Sequence, residues 1–167
     1  RARQRADSVA YALRWNWNTP YIISKHNPAT LYFGANRVLK SVKYGDDMFP
    51  ISGELSYADS AKLYVALKTT GGITPDVTGA ETYGTVVALE ESPAKPGLLY
   101  AGTEFGMYIS FDNGGHWQPF NLNMPQIPIN DIKVYRGDLV VATQGRAAWI
   151  MDNISALQQI GPTTQSE

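Results

Sequence analysis

At 167 residues, with 44% hydrophobic and 17% charged residues, the chain can bury a core of its own and is neither a disordered segment nor a charged tail. A formal net charge of -1 lacks the basic surface that nucleic-acid binding requires, and the absence of cysteine removes disulfide and thiolate chemistry. Fifteen Gly, ten Pro and ten Tyr point to short strands joined by tight turns, an all-β composition.

The chain opens on a basic arm, residues 1–13, in which Arg1, Arg3 and Arg5, followed by Arg14, face only Asp7. Such an arm is either solvated or drawn to an anionic membrane or an acidic partner. Ala6 to Leu13 is expected to form a short helix. The first residue is Arg and no secretory leader pattern is read, so a processed or shortened chain is expected. No apolar run reaches the roughly 18 residues of a membrane-spanning helix.

From residue 14 to 160 the sequence repeats itself. Pro28, Leu31, Tyr32 and Gly34 fall on Pro96, Leu99, Tyr100 and Gly102 at an offset of 68, and Leu139 and Thr143 fall on Leu99 and Thr103 at an offset of 40. In chain order the expected strands are Tyr21 to Ser24, the runs around Leu31 and Leu39, and a short outer strand near Phe49 to Ile51. The second unit follows with Thr85 to Glu90, Leu98 to Thr103, Met107 to Phe111 and Gln118 to Phe120. The third has Ile129 to Val134, Leu139 to Thr143 and Ala148 to Met151, with Ile154 to Gln159 helical instead of a fourth strand. The units span about 14–52, 85–122 and 126–153, each the size of a propeller blade at roughly 40 residues. Residues 53–84 form a long connection, with Leu63 to Leu67 a candidate extra strand, and 161–167 a tail. The fold class is therefore all-β: antiparallel blade-like sheets of β-propeller type, about three in number, forming an incomplete or open array.

Ser110-Phe111-Asp112-Asn113-Gly114-Gly115-His116-Trp117 carries the pattern S-x-D-x-G-x-T-W, with His116 in place of Thr. The chemistry of such a turn is structural. Ser110 and Asp112 can hold turn amides, Gly114 can take a positive φ, and Trp117 can bury a large ring beneath. In the first unit Ser41 and Gly45 remain, while Lys43 and Met48 stand where Asp and Trp would be; in the third, Asp152 alone remains.

These boxes, with Trp15-Asn16-Trp17-Asn18-Thr19-Pro20 before them and Gly145-Arg146-Ala147-Ala148-Trp149-Ile150 at the end, resemble the large exported BNR/Asp-box repeat proteins, a group related to the sortilin-type propellers and often labelled glycosyl hydrolase. Ile73-Thr74-Pro75-Asp76 and Glu91-Ser92-Pro93 are similar to that group's connecting segments. The resemblance covers about Arg14 to Ile160 and implies an extracytoplasmic (periplasmic or secreted) protein in shortened form. One Asp-box propeller assists photosystem II assembly, which implies an accessory role on a membrane complex.

No catalytic constellation is read. Asp-box sialidases need an arginine trio, a Tyr/Glu pair and an acid; Asp-box endoglucanases need two opposed carboxylates. Outside the arm, Arg14, Arg37, Arg136 and Arg146 form no such pattern. Glu104, Asp46, Asp47 and Asp131 read as turn and solvent residues. His26 and His116 lie ninety residues apart, so no metal site or Ser-His relay is expected, and no cofactor. Trp15, Trp17, Tyr21, Tyr32, Phe105 and Trp149 read as blade-to-blade packing, as a contact surface, or as a sugar-stacking platform. The expectation is a non-catalytic protein-binding or scaffold subunit. Its candidate contact residues are Trp15, Trp17, Tyr21, Phe105, Arg146, Trp149 and the arm residues Arg1, Arg3 and Arg5. A carbohydrate-active enzyme or its remnant, and a fragment of a large exported repeat protein, are the alternatives.

Overall fold

The computed structural model describes residues 13–16, 18–56 and 85–161. The connection beyond residue 56, with Leu63 to Leu67, lies outside them, as do the tail from 162 and the expected helix up to residue 12. Three antiparallel sheets follow one another along the chain. The first runs β1 (Tyr21–Ile23), β2 (Leu31–Gly34), β3 (Val38–Ser41) and β4 (Phe49–Pro50) in spatial order. The second repeats this with β5 (Val86–Glu91), β6 (Leu99–Thr103), β7 (Gly106–Ser110) and β8 (Gln118–Pro119). The third has only β9 (Ile129–Tyr135), β10 (Asp138–Thr143) and β11 (Ala148–Met151), after which the chain turns into the short helix α1 (Ser155–Gln159). The fold is all-β, with three antiparallel sheets resembling propeller blades.

The sheets stack because each second strand is apolar on both faces. In β6 all five residues are buried. The pleat sends Leu99 and Ala101 toward the first sheet, where they meet Tyr32, Val38, Val86 and Leu89. The alternate residue Tyr100 joins Met107, Ile109, Ile132 and Leu139 in the core beneath the third sheet. That second core is closed from below by Ile154 and Leu157, so α1 supplies apolar cover under the third sheet, which has three strands among the described residues.

The repeated Gly has a packing reason. A Cβ on Gly102 would lie 2.6 Å from Ile129 Cγ2, and one on Gly34 would lie 2.8 Å from Val86 Cγ1. In both sheets the glycine lets the first strand of the next sheet approach. The repeated Thr also has a local reason. Thr103 Oγ1 donates to Gly106 O at 3.0 Å, and Thr143 Oγ1 donates to Ala147 O at 2.7 Å, tying equivalent hairpins in the second and third sheets.

Candidate functional site at the seam between the first two sheets

The turn after β7 is built as a cage. Ser110 Oγ accepts from Gly114 N at 2.9 Å and donates to Asp112 Oδ1 at 3.0 Å, and Asp112 Oδ1 also accepts from His116 N at 2.8 Å. Burial raises the Asp112 carboxyl, but the hydrogen bonds from His116 and Ser110 outweigh it and hold the group below its ordinary value. Asn113 and Gly114 carry the positive φ values, 62° and 91°.

The turn after β3 repeats the cage with one part exchanged. Ser41 Oγ accepts from Gly45 N at 2.8 Å, and Tyr44 and Gly45 sit at φ 55° and 97°. Lys43 cannot supply a carboxylate, and Asp47 does so from the far side of the turn. Its Oδ1 accepts from Ser41 Oγ at 2.7 Å and from the Val42 and Lys43 amides at 3.0 Å each. The hydrogen bond from Ser41, followed by those two amides, lowers the Asp47 pKa.

The second turn is also a latch between sheets. Trp117 Nε1 donates to Ile51 O at 3.0 Å, and a Cβ on Gly114 would lie 2.5 Å from Ile51 Cδ1. Asn113 reaches further into the first sheet. Its Oδ1 accepts from Lys40 Nζ at 2.9 Å and from Tyr32 Oη at 3.2 Å.

Two adjacent acids at the end of β5 complete the seam. Glu90 and Glu91 are 2% and 1% exposed, and the pleat sends them to opposite neighbours. Glu91 Oε2 accepts from Lys25 N at 2.9 Å, while Oε1 takes longer bonds from Gly97 N at 3.3 Å and Tyr32 Oη at 3.4 Å. Glu90 faces the third sheet, where its Oε1 accepts from Val134 N at 3.1 Å, and Lys133 Nζ lies 3.7 Å from Oε2. The Lys25 ammonium also closes on Glu90. One strand end thus pins all three sheets.

Between these parts lies a cleft of about 270 Å³, floored by buried Tyr32, Glu91 and Gly97 and rimmed by exposed His26, Pro96 and Asn113. His26 Nε2 lies 2.8 Å from Ser92 O; a carbonyl only accepts, so Nε2 carries the proton and Nδ1 is the acceptor of the neutral ring. Burial, then the negative charge of Glu91, push the Tyr32 phenol well up, so it stays a neutral donor. Burial lowers the Lys40 ammonium against the opposing pull of Glu91. Sequence reasoning left Tyr32 among aromatics open to packing or contact, and set Glu91 in a connecting segment. The pair of acids closing an apolar strand was the available signal, since alternation must turn one of them inward toward each neighbour.

Of the nine candidate contact residues, five are described. Arg1, Arg3, Arg5 and Trp17 lie outside the described residues. Trp15 is half-buried, with its indole nitrogen buried and unpartnered among the described residues. Tyr21 is 66% exposed and stacks on Phe33 with ring centroids 6.4 Å apart, on the first sheet's face away from the second. Phe105 and Arg146 are exposed at the tips of the β6–β7 and β10–β11 hairpins. Trp149 is half-buried and packs against the core beneath the third sheet. No group of three or more His, Asp or Glu residues able to hold a metal occurs among the described residues.

The fold defines a class, an array of stacked blade-like antiparallel sheets. No family model and no curated protein matches the chain. Among solved structures, a GH74 enzyme of Niastella koreensis superposes with a TM-score of 0.51 at 13% identity, over 81% of this chain and 21% of the enzyme. The computationally designed Ika4 protein gives a TM-score of 0.42 at 12% identity, over 75% of this chain and 61% of that one. The chain thus spans about a fifth of the GH74 enzyme and less than two thirds of the designed protein. The GH74 likeness is one of fold alone.

Proposed function

We propose that the chain is a non-catalytic protein-binding module of the Asp-box repeat kind, serving as a scaffold or accessory subunit of an extracytoplasmic assembly on a membrane complex. The observation that supports this reading is the exposed apolar side chains on both terminal sheet faces, which on the third sheet lie beside Asp131 and Lys133 of β9. On the first sheet Tyr21 and Ile23 are 66% and 57% exposed, opposite Phe33 and Leu31 in register. On the third sheet Val140 pairs with Ile150, which is 62% exposed, and Ala142 with Ala148. Repeat arrays bury such faces by closing or by capping, and the described residues hold three sheets, against the four to eight of closed propellers. The resemblance to the exported Asp-box group supplies the compartment and the kind of assembly. The boxes themselves are spent on holding turns and sheets together.

Light scattering of the isolated chain tests this. Self-association and apolar-dye binding are the expected results, both reduced by Ile23→Lys and Ile150→Lys. A monodisperse monomer that binds no dye would overturn the reading. Co-purification from the native source with mass spectrometry then names the partner.

A second reading, a carbohydrate-active enzyme or its remnant, is favoured by one observation: a buried carboxylate, Glu91, set against Tyr32 in an open cleft. It predicts hydrolysis of some member of a glycoside panel, abolished by Glu91→Gln. Absence of turnover across the panel removes it.

A further inference from the structure

The cleft between the first two sheets carries two opposite charges, Lys40 and Glu91, that feel each other's field but form no direct ion pair among the described residues. Lys40 Nζ spends its one recorded hydrogen bond on the neutral Asn113 amide, 2.9 Å away, and sits 5.5 Å above the Tyr32 ring. Glu91, 1% exposed, takes hydrogen bonds only from neutral groups: the Lys25 and Gly97 amides and the Tyr32 hydroxyl. Neither forms an ion pair among the described residues; the Lys25 ammonium that passes close by goes to Glu90. Glu90, by contrast, has two ammonium groups beside it. A buried carboxylate without a counter-ion is costly, and one whose Oε1 bonds are long retains capacity for a further donor.

We propose that this cleft binds a compact zwitterion, an α-amino acid, with the ligand carboxylate on Lys40 and Asn113 and its ammonium on Glu91. A singly charged ligand would leave one protein charge uncompensated, and a neutral ligand would leave both. The polar complement fits at both ends. The Asn113 side-chain nitrogen offers donors beside Lys40, since its Oδ1 is already occupied. At the other end Tyr32 Oη stands between the poles, 3.2 Å from Asn113 Oδ1 and 3.4 Å from Glu91 Oε1, and its single proton serves one of them at a time, which leaves Glu91 Oε1 open to a further donor. At about 270 Å³ the cleft lies just below the usual range for small-molecule pockets, which limits the ligand to a few heavy atoms. The inference is independent of the protein-partner reading, which concerns the outward sheet faces.

The test is an amide-resolved NMR titration of the full chain with L-alanine, and with acetate, methylammonium and D-glucose as separate arms. L-alanine is expected to shift the Lys25, Gly97 and Asn113 amides saturably, with Kd about 1 mM or tighter, and the other three at least about tenfold more weakly. Lys40→Met keeps the aliphatic stem over Tyr32 and is expected to weaken L-alanine about tenfold or more. Lys40→Arg is expected to retain binding, and Lys43→Met, on the neighbouring turn, to leave it unchanged. Glu91→Gln is expected to act as Lys40→Met does; should it fail to fold, the Lys40 pair decides. Absence of saturable shifts with L-alanine overturns the proposal. Equal binding of acetate, methylammonium or D-glucose, or an unaltered affinity in folded Lys40→Met, does so too.

Discussion

Asp47 does from the far side of its turn what Lys43, at the expected position, cannot. Pattern matching reads a fixed spacing, whereas the turn requires only a carboxylate oxygen within reach of Ser41 and two amides. The first box was therefore legible as Ser41 and Gly45, and its acid was not. Because hydrogen bonding lowers the pKa of Asp47 and Asp112 in the folded chain, each contributes stability that is present above its unfolded value. That stability is lost as pH falls through the folded value. Urea midpoints are expected to drop between about pH 5 and pH 2, and Asp47→Asn to flatten part of that drop. The two repeat tyrosines make a second comparison. Glu91, partner of Tyr32, corresponds in the third sheet to Val134, each facing the equivalent residue Leu99 or Leu139 across its ladder. Tyr100 Oη is buried with no hydrogen-bond partner among the described residues. Tyr100→Phe is expected to be neutral or stabilising by up to about 1 kcal/mol, and Tyr32→Phe to cost about 1 kcal/mol in chemical denaturation. Loss of stability in Tyr100→Phe would show that its hydroxyl is satisfied.

The elements were the most legible level, because their signals are local. Period-two apolar runs and turn residues placed each described strand to within a residue or two, and the amphipathic stretch after residue 153 marked α1. What stayed hidden was why landmarks recur. Gly34 and Gly102 stood in sequence only as repeat landmarks, yet within their strands they serve the approach of the next sheet. Neither has a positive φ, so the constraint is steric contact and not backbone conformation. Gly102→Ala is expected to destabilise by about 1–3 kcal/mol through overpacking on Ile129. Adding Ile129→Ala should then cost less than it does alone, a coupling that a double-mutant cycle of unfolding free energies measures. Strict additivity would mean that the seam absorbs the methyl by shifting. The Glu90–Glu91 pin escaped notice for a related reason: long-range partners such as Lys25 and Val134 are set by stacking order, which composition and periodicity do not encode.

At the scale of the whole molecule, the repeat count was legible because self-similarity survives where motifs have drifted. The cleft was not legible, since Tyr32, Lys40, Glu91 and Asn113 are scattered over more than eighty residues and meet only when two sheets pack. The third sheet, three-stranded among the described residues, has a consequence for colloidal behaviour. The outermost strands of the first two sheets are two residues long and each ends in proline, Pro50 and Pro119, which has no N–H to offer an incoming strand. Those rims carry their own gatekeepers. β11 has none: Ala148–Met151 is apolar, proline-free and without a further neighbour among the described residues. Fibrillar growth, where the chain is stressed, is therefore expected to be polar, templated at β11 and refused at β4 and β8. Ile150→Pro should suppress thioflavin-positive aggregation at equal protein concentration, whereas relieving the other rims with Pro50→Val should open a second growth front and shorten the lag.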